Sequence, residues 1–190
     1  MKKILYKDVR ELMLPGDIIA FGGNGFISTI IKEATKSNVS HIGIIMHVKV
    51  PYVKGYINQI IESTSLGDGF AGVQINRMSI HIEKYKGDIW WLPLSPEARG
   101  RLDQEKFFTF LLNQVGKKYD ARQAFHSAID FLPDTVENFD RLFCSELAGA
   151  ALESAGVIPP VNASELTPAD VCMFDIYKGV YQLKGIEKET

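Results

Sequence analysis

The sequence predicts a single domain, residues 1-190, that mixes strands with helices. Three observations predict it. Runs with strand character fill most of the first half, helical spacing takes over from Ser95, and 190 residues at 46% hydrophobic content suffice for one core without disulfides or metal. With 23% charged residues and a formal net charge of -2, nothing in the charge balance points to nucleic acid as a partner. No stretch approaches the roughly 18 uncharged apolar residues of a membrane-spanning helix. Met1 to Leu5 starts like a signal peptide, but Lys7, Asp8, Arg10 and Glu11 interrupt any apolar core. The expectation is an unprocessed, cytoplasmic protein of unspecified oligomeric state. Two cysteines, Cys144 and Cys172, cannot build a disulfide framework.

Taken in order, Lys7 to Leu14 suits a short helix, and Pro15-Gly16-Asp17 makes a turn into the buried-strand pattern Ile18-Ile19-Ala20-Phe21. Gly22-Gly23-Asn24-Gly25 ends that strand. These glycines lack the lysine and Ser/Thr of a phosphate-binding loop and the spacing of a dinucleotide fingerprint, so they read as a turn. Phe26, Ile27, Ile30, Ile31 and Ala34 then follow at helical spacing over residues 26 to 36. Residues 40 to 48 read as a strand, and Tyr52 to Ile61 resumes strand character. Val73 to Lys86 shows no readable period, and His81 within it has no evident partner. Asp88 to Leu94 reads as another strand, stopped by Pro93 or Pro96.

Beyond Ser95, Phe107, Phe108, Leu111, Leu112 and Val115 share one helix face, expected to be core, and Gly116 closes that helix. Ala121, Ala124, Phe125, Ala128, Ile129 and Leu132 recur at helical spacing after Tyr119-Asp120. This segment fits either a pocket cover or ordinary core. Cys144, Leu147, Ala148, Ala151, Leu152 and Ala155 mark the apolar face of a further helix, ended by Gly156. Thr167-Pro168-Ala169-Asp170 reads as a turn and residues 171 to 174 as a last packed segment. Cys172, among apolar neighbours that raise a thiol's pKa, reads as structural.

Cys144 is the candidate nucleophile. At the first turn of its helix a thiol faces unpaired N–H groups and the positive end of the dipole, which lower its pKa from roughly 8.5. The other reading is a small buried hydrophobe, since free cysteine is among the most buried residue types. His41, at the start of its strand, sits at a sheet rim where it can approach such a helix, and Gly43 beside it leaves room for a neighbouring backbone or substrate. His47, six residues further on and about 20 Å away in an extended strand, cannot serve the same site. Glu62, at the end of a buried run, suits a carboxylate that accepts from one imidazole nitrogen and frees the other to deprotonate a thiol.

The four histidines, 41, 47, 81 and 126, lack the paired helical spacing of zinc hydrolases, and no Cys-x-x-Cys occurs, so no metal or other cofactor is expected. A Gly-x-Ser-x-Gly elbow is absent as well. One thiol, one base and one orienting carboxylate together make a nucleophilic site.

Pro15-Gly16-Asp17-Ile18, Ser40-His41-Ile42-Gly43-Ile44, Ile61-Glu62-Ser63, Phe143-Cys144-Ser145-Glu146-Leu147 and Leu166-Thr167-Pro168-Ala169-Asp170 occur in that order. In this the chain resembles the circularly permuted, YiiX-like branch of the NlpC-type papain-like superfamily, where the histidine strand precedes the cysteine helix. The resemblance implies an α+β fold in which an antiparallel, barrel-like sheet packs against the cysteine helix. It implies Cys144 as nucleophile, His41 as base, Glu62 as orienting group and Tyr119 lining the site. The activity implied is that of a cysteine peptidase or amidase working through an acyl-enzyme on a small peptide-like substrate, with the Cys144 backbone N–H helping to hold the oxyanion. Acyl transfer or thioester cleavage on lipid-derived acyl groups is the alternative. A non-catalytic ligand-binding or redox module with the same fold is the competing class.

Overall fold

A computed structural model describes residues 2–23, 36–48, 57–64, 71–117 and 140–185. Its elements, in chain order, are β1 (Lys2–Lys3), α1 (Tyr6–Val9), β2 (Ile18–Gly23), β3 (His41–Val48), β4 (Ile57–Thr64), β5 (Gly72–Arg77), α2 (Met78–Lys84), β6 (Gly87–Leu92), α3 (Pro96–Arg101), α4 (Gln104–Gln114), α5 (Asp140–Ser154), α6 (Pro168–Cys172) and β7 (Tyr181–Lys184). The helices expected over 26 to 36 and after Tyr119 fall largely outside the described residues.

The strands form one sheet in the order β1-β7-β6-β2-β3-β4-β5. Every neighbouring pair is antiparallel except β1 with β7. The architecture is thus α+β, but the sheet is open, with β1 and β5 at its edges, and does not close into the barrel-like form expected. β5 is followed at once by α2, and β1 and β7 are short, so no described strand links the two edges.

Both faces of the central strands are covered, which is why β2 reads as an unbroken apolar run. Ile18 and Ala20 of β2, Ile42, Ile44 and Met46 of β3, Ile61 of β4 and Trp90 and Leu92 of β6 share a core with the apolar face of α5. Ile19, Phe21, Ile45, Ile60, Ile89 and Trp91 point to the opposite face and pack with Val9, Met13 and Met78. Period-two alternation thus divides each strand between two cores. Cys144, Leu147, Ala148, Ala151, Leu152 and Ala155 are all buried, as their spacing predicts. The helix lies on β3 and β4 and also touches α4 and α6. Gly156, at φ +72°, ends its run, and Gly116, at φ +78°, ends α4.

The α4 face differs from expectation. Phe107 and Leu111 are buried, while Leu112 and Val115 are exposed. With α5 on one side only, the apolar stripe that finds a partner is narrower than the sequence pattern.

Two of the motifs act as scaffold. The fully buried Asp17 carboxylate accepts from Leu14 N (3.0 Å), Trp91 Nε1 (2.9 Å) and Leu94 N (3.0 Å), and it pairs with Arg99. Burial pushes its pKa up, against the opposing pull of the Arg99 guanidinium. Thr167-Pro168-Ala169-Asp170, expected as a turn, is a capping box with proline in the first helical turn, and it opens α6.

Candidate active site

β3 and β4 build the polar part of the site. Ile44 pairs with Ile61 and Ile45 with Ile60, so residues 43 and 62 come side by side as the ladder ends. A Cβ on Gly43 would lie 2.5 Å from Cδ1 of Ile60 and 3.2 Å from Cβ of Glu62. The space that glycine leaves is therefore filled by these two side chains, neither by backbone nor by substrate. Glu62 passes over Gly43 and reaches His41, whose Nε2 lies 2.6 Å from Oε2 of Glu62.

The carboxylate is 1% exposed and the imidazole 15%. Burial alone would raise the Glu62 pKa, but hydrogen bonds and charge from His41 and His81 outweigh it and hold the carboxyl well below its usual range. Glu62 is thus ionised and can only accept, so His41 donates from Nε2. The His41 ring also interacts with the Cys144 thiol, by charge and by a side-chain hydrogen bond. Burial opposes a charge on His41, yet the Cys144 sulfur and the Glu62 carboxylate together carry its pKa up from 6.5 to about 10. The structure therefore brings Cys144, His41 and Glu62 together in the order thiol, imidazole, carboxylate.

Cys144 is buried, but its place on the helix differs from expectation. α5 begins at Asp140, so the thiol sits in the second turn. Apolar spacing starts at Cys144, but residues 140 to 143 hold no helix breaker, and the helix extends back through them. Cys172 lies apart in role: burial, and then the charge of Cys144, push its thiol up to about 12.

A fourth residue enters that sequence patterns missed. His81, on α2, places Nε2 2.6 Å from Oε1 of Glu62, and Nδ2 of Asn76 lies 2.9 Å from the same oxygen. The unreadable stretch from Val73 to Lys86 is a six-residue strand running directly into a seven-residue helix, each too short to establish a period. The available signal was Glu62 itself, since a buried carboxylate with one donor leaves an oxygen uncompensated. Tyr119 lies outside the described residues, as does His126.

The chain is similar to a protein already solved. It overlays the metalloprotein yiiX from Escherichia coli O157:H7 (DUF1105) with a TM-score of 0.47 and 24% identity, over 74% of this chain and 65% of that one. The chain thus spans less than two thirds of that protein's length. No protein-family model matches, and no curated protein matches. The yiiX protein is described as a metalloprotein. Among the described residues no group of three or more His, Cys, Asp or Glu side chains is arranged to hold a metal ion, and Nε2 of both His41 and His81 is taken up by Glu62. No described helix is long and apolar enough to cross a membrane.

Proposed function

We propose that the chain is a cysteine hydrolase that cleaves a carbonyl bond, foremost the amide of a small peptide-like substrate, through an acyl-enzyme on Cys144. The observation that carries the reading is the position of His41, bonded to Glu62 through Nε2 and interacting with the Cys144 thiol by charge and hydrogen bond. An imidazole so held takes the thiol proton and stays charged beside the thiolate, because the buried carboxylate compensates its charge.

In the forward step the Cys144 sulfur bonds to the substrate carbonyl carbon. His41 returns its proton to the departing nitrogen as the carbon–nitrogen bond breaks. A water molecule, deprotonated by the now neutral His41, attacks the thioester; the acid leaves and the thiolate–imidazolium pair is restored. Glu62 stays ionised throughout and fixes the ring. An amine or alcohol in place of water would give acyl transfer by the same steps.

The test is to trap the thioester. Incubation with a small activated ester or thioester, acid quench and peptide mass analysis are expected to locate the acyl group on Cys144, with none in His41→Ala. An added amine acceptor then separates hydrolysis from transfer by product ratio. No adduct on Cys144 with any amide, ester or thioester would overturn the reading in favour of a ligand-binding module.

A further inference from the structure

Glu62 has donors on both of its oxygens, and only one belongs to the thiol–imidazole pair. We propose that His81 is a positioning residue of this site: with Asn76 it holds Oε1 of Glu62 so that Oε2 stays turned toward His41. The proposal rests on the reading that His41 and Cys144 work as a pair, and it deepens that reading.

The geometry is specific. His81 meets Oε1 at 2.6 Å, as short as the His41 contact on Oε2, and Asn76 adds a longer, neutral bond of 2.9 Å. Ile60 pairs with Asn76 and Glu62 with Gln74, so Asn76 is the diagonal cross-strand neighbour of Glu62 on one sheet face. His81 arrives from a different element, α2, which fully buried Met78 anchors in the core. Its ring stands edge-on to Phe21 at 5.2 Å and 61°, and the His41 ring lies 5.4 Å from the same phenyl. Two imidazoles thus take their positions from one buried ring and close on one carboxylate from either side. Turning that carboxylate would break both contacts at once. His81 reaches the site through its bond to Glu62.

The groups facing the carboxylate are His41 from β3, His81 from α2 and Asn76 from β5; the half-buried Tyr85 phenol also lies within reach of its charge. Removing the His81 donor leaves a buried carboxylate oxygen with one neutral partner, which disfavours the ionised form.

Three variants separate a hydrogen-bonding role from a packing role. His81→Phe keeps a ring against Phe21 and removes the donor; His81→Gln keeps a donor and removes the ring; His81→Ala removes both. The readouts are the titration of the Glu62 carboxyl carbon by NMR and the acid limb of iodoacetamide labelling at Cys144. In His81→Phe and His81→Ala the Glu62 midpoint is expected to rise by at least about one pH unit and Cys144 labelling to slow at acid pH, while His81→Gln stays within about half a unit of wild type. A folded His81→Phe protein with wild-type midpoints overturns the proposal, as does a His81→Gln protein that fares worse than His81→Phe. If His81→Phe does not fold, ring ¹⁵N spectra of the wild type decide: Nε2 of His81 must carry a proton at pH 7 and shift in Glu62→Gln, and a bare Nε2 overturns the proposal. Should His41→Ala leave Cys144 labelling unchanged, the cysteine-hydrolase reading falls, while His81 is still judged on the Glu62 titration.

Discussion

Phe21 and His41 stand opposite one another on β2 and β3, and their rings lie 5.4 Å apart at 35°. The phenyl is fully buried and also meets His81 and Tyr85 at 5.2 and 5.0 Å. It is the surface against which the base is set, so the site's geometry depends on a residue with no chemistry of its own.

Truncating that surface should damage stability and reactivity together. Phe21→Ala is expected to cost about 3–5 kcal/mol in urea unfolding, the usual range for emptying a buried aromatic site. Phe21→Leu, which keeps most of the apolar volume, should fold and yet slow Cys144 alkylation by loosening the His41 ring. Wild-type alkylation in a folded Phe21→Leu protein would show that the ring is held by Glu62 alone.

The two thiols should differ sharply. Cys172, held up at about 12, is expected to stay unlabelled by iodoacetamide through pH 9, while Cys144 labels below pH 7 with the help of His41. His41→Ala should slow Cys144 labelling at pH 6.5 by at least about tenfold. Equal rates at the two cysteines, or a Cys144 rate indifferent to His41, would count against an activated thiol.

The same pair sets a pH window for stability. His41 binds its proton more tightly folded than unfolded, so its contribution is fully present below about 6.5 and is lost as pH rises toward about 10. Glu62 is shifted the other way, so its contribution is present above about 4.5 and is lost as pH falls below that. Thermal melts from pH 3 to 10 should show wild type falling off on both sides of a plateau near pH 5 to 6. In Glu62→Gln both slopes should flatten, and parallel curves for the two proteins would rule out this linkage.

Gly43 gives a steric test. A methyl group there would lie 2.5 Å from Ile60 and 3.2 Å from Glu62, so Gly43→Ala is expected to cost about 1–3 kcal/mol by overpacking. Because Glu62 must move, His41 should lose its partner and Cys144 labelling should slow. An unchanged melting temperature would mean that Ile60 yields without disturbing the carboxylate.

Much of this was legible in residue spacing. The three-four repeat from Cys144 to Ala155 predicted the buried face of α5, and alternation in residues 41 to 48 put His41 at a strand start, because both elements are long enough for their period to show: one apolar face in α5, two alternating faces in β3. Glu62 was readable as a carboxylate closing an apolar run. What escaped lies in short elements whose position tertiary pairing decides. β7 is four residues long and exists because β6 and β1 flank it. α2 is seven residues whose register follows from β5 directly before it, and with it went His81. The start of α5 escaped because a helix can extend beyond its apolar stripe.

The sheet order also fixes when the chemistry can exist. β3 and β4 are sequence neighbours, and their antiparallel pairing joins the histidine to its carboxylate by a short loop closure. The sulfur belongs to a helix made much later, and it reaches them only by packing across the finished β3–β4 surface. A chain emerging from the ribosome therefore holds the proposed base and its counter-charge before it holds the proposed nucleophile. On that reading Cys144 meets His41 only once α5 docks, so a nascent or partly folded chain lacks the assembled pair.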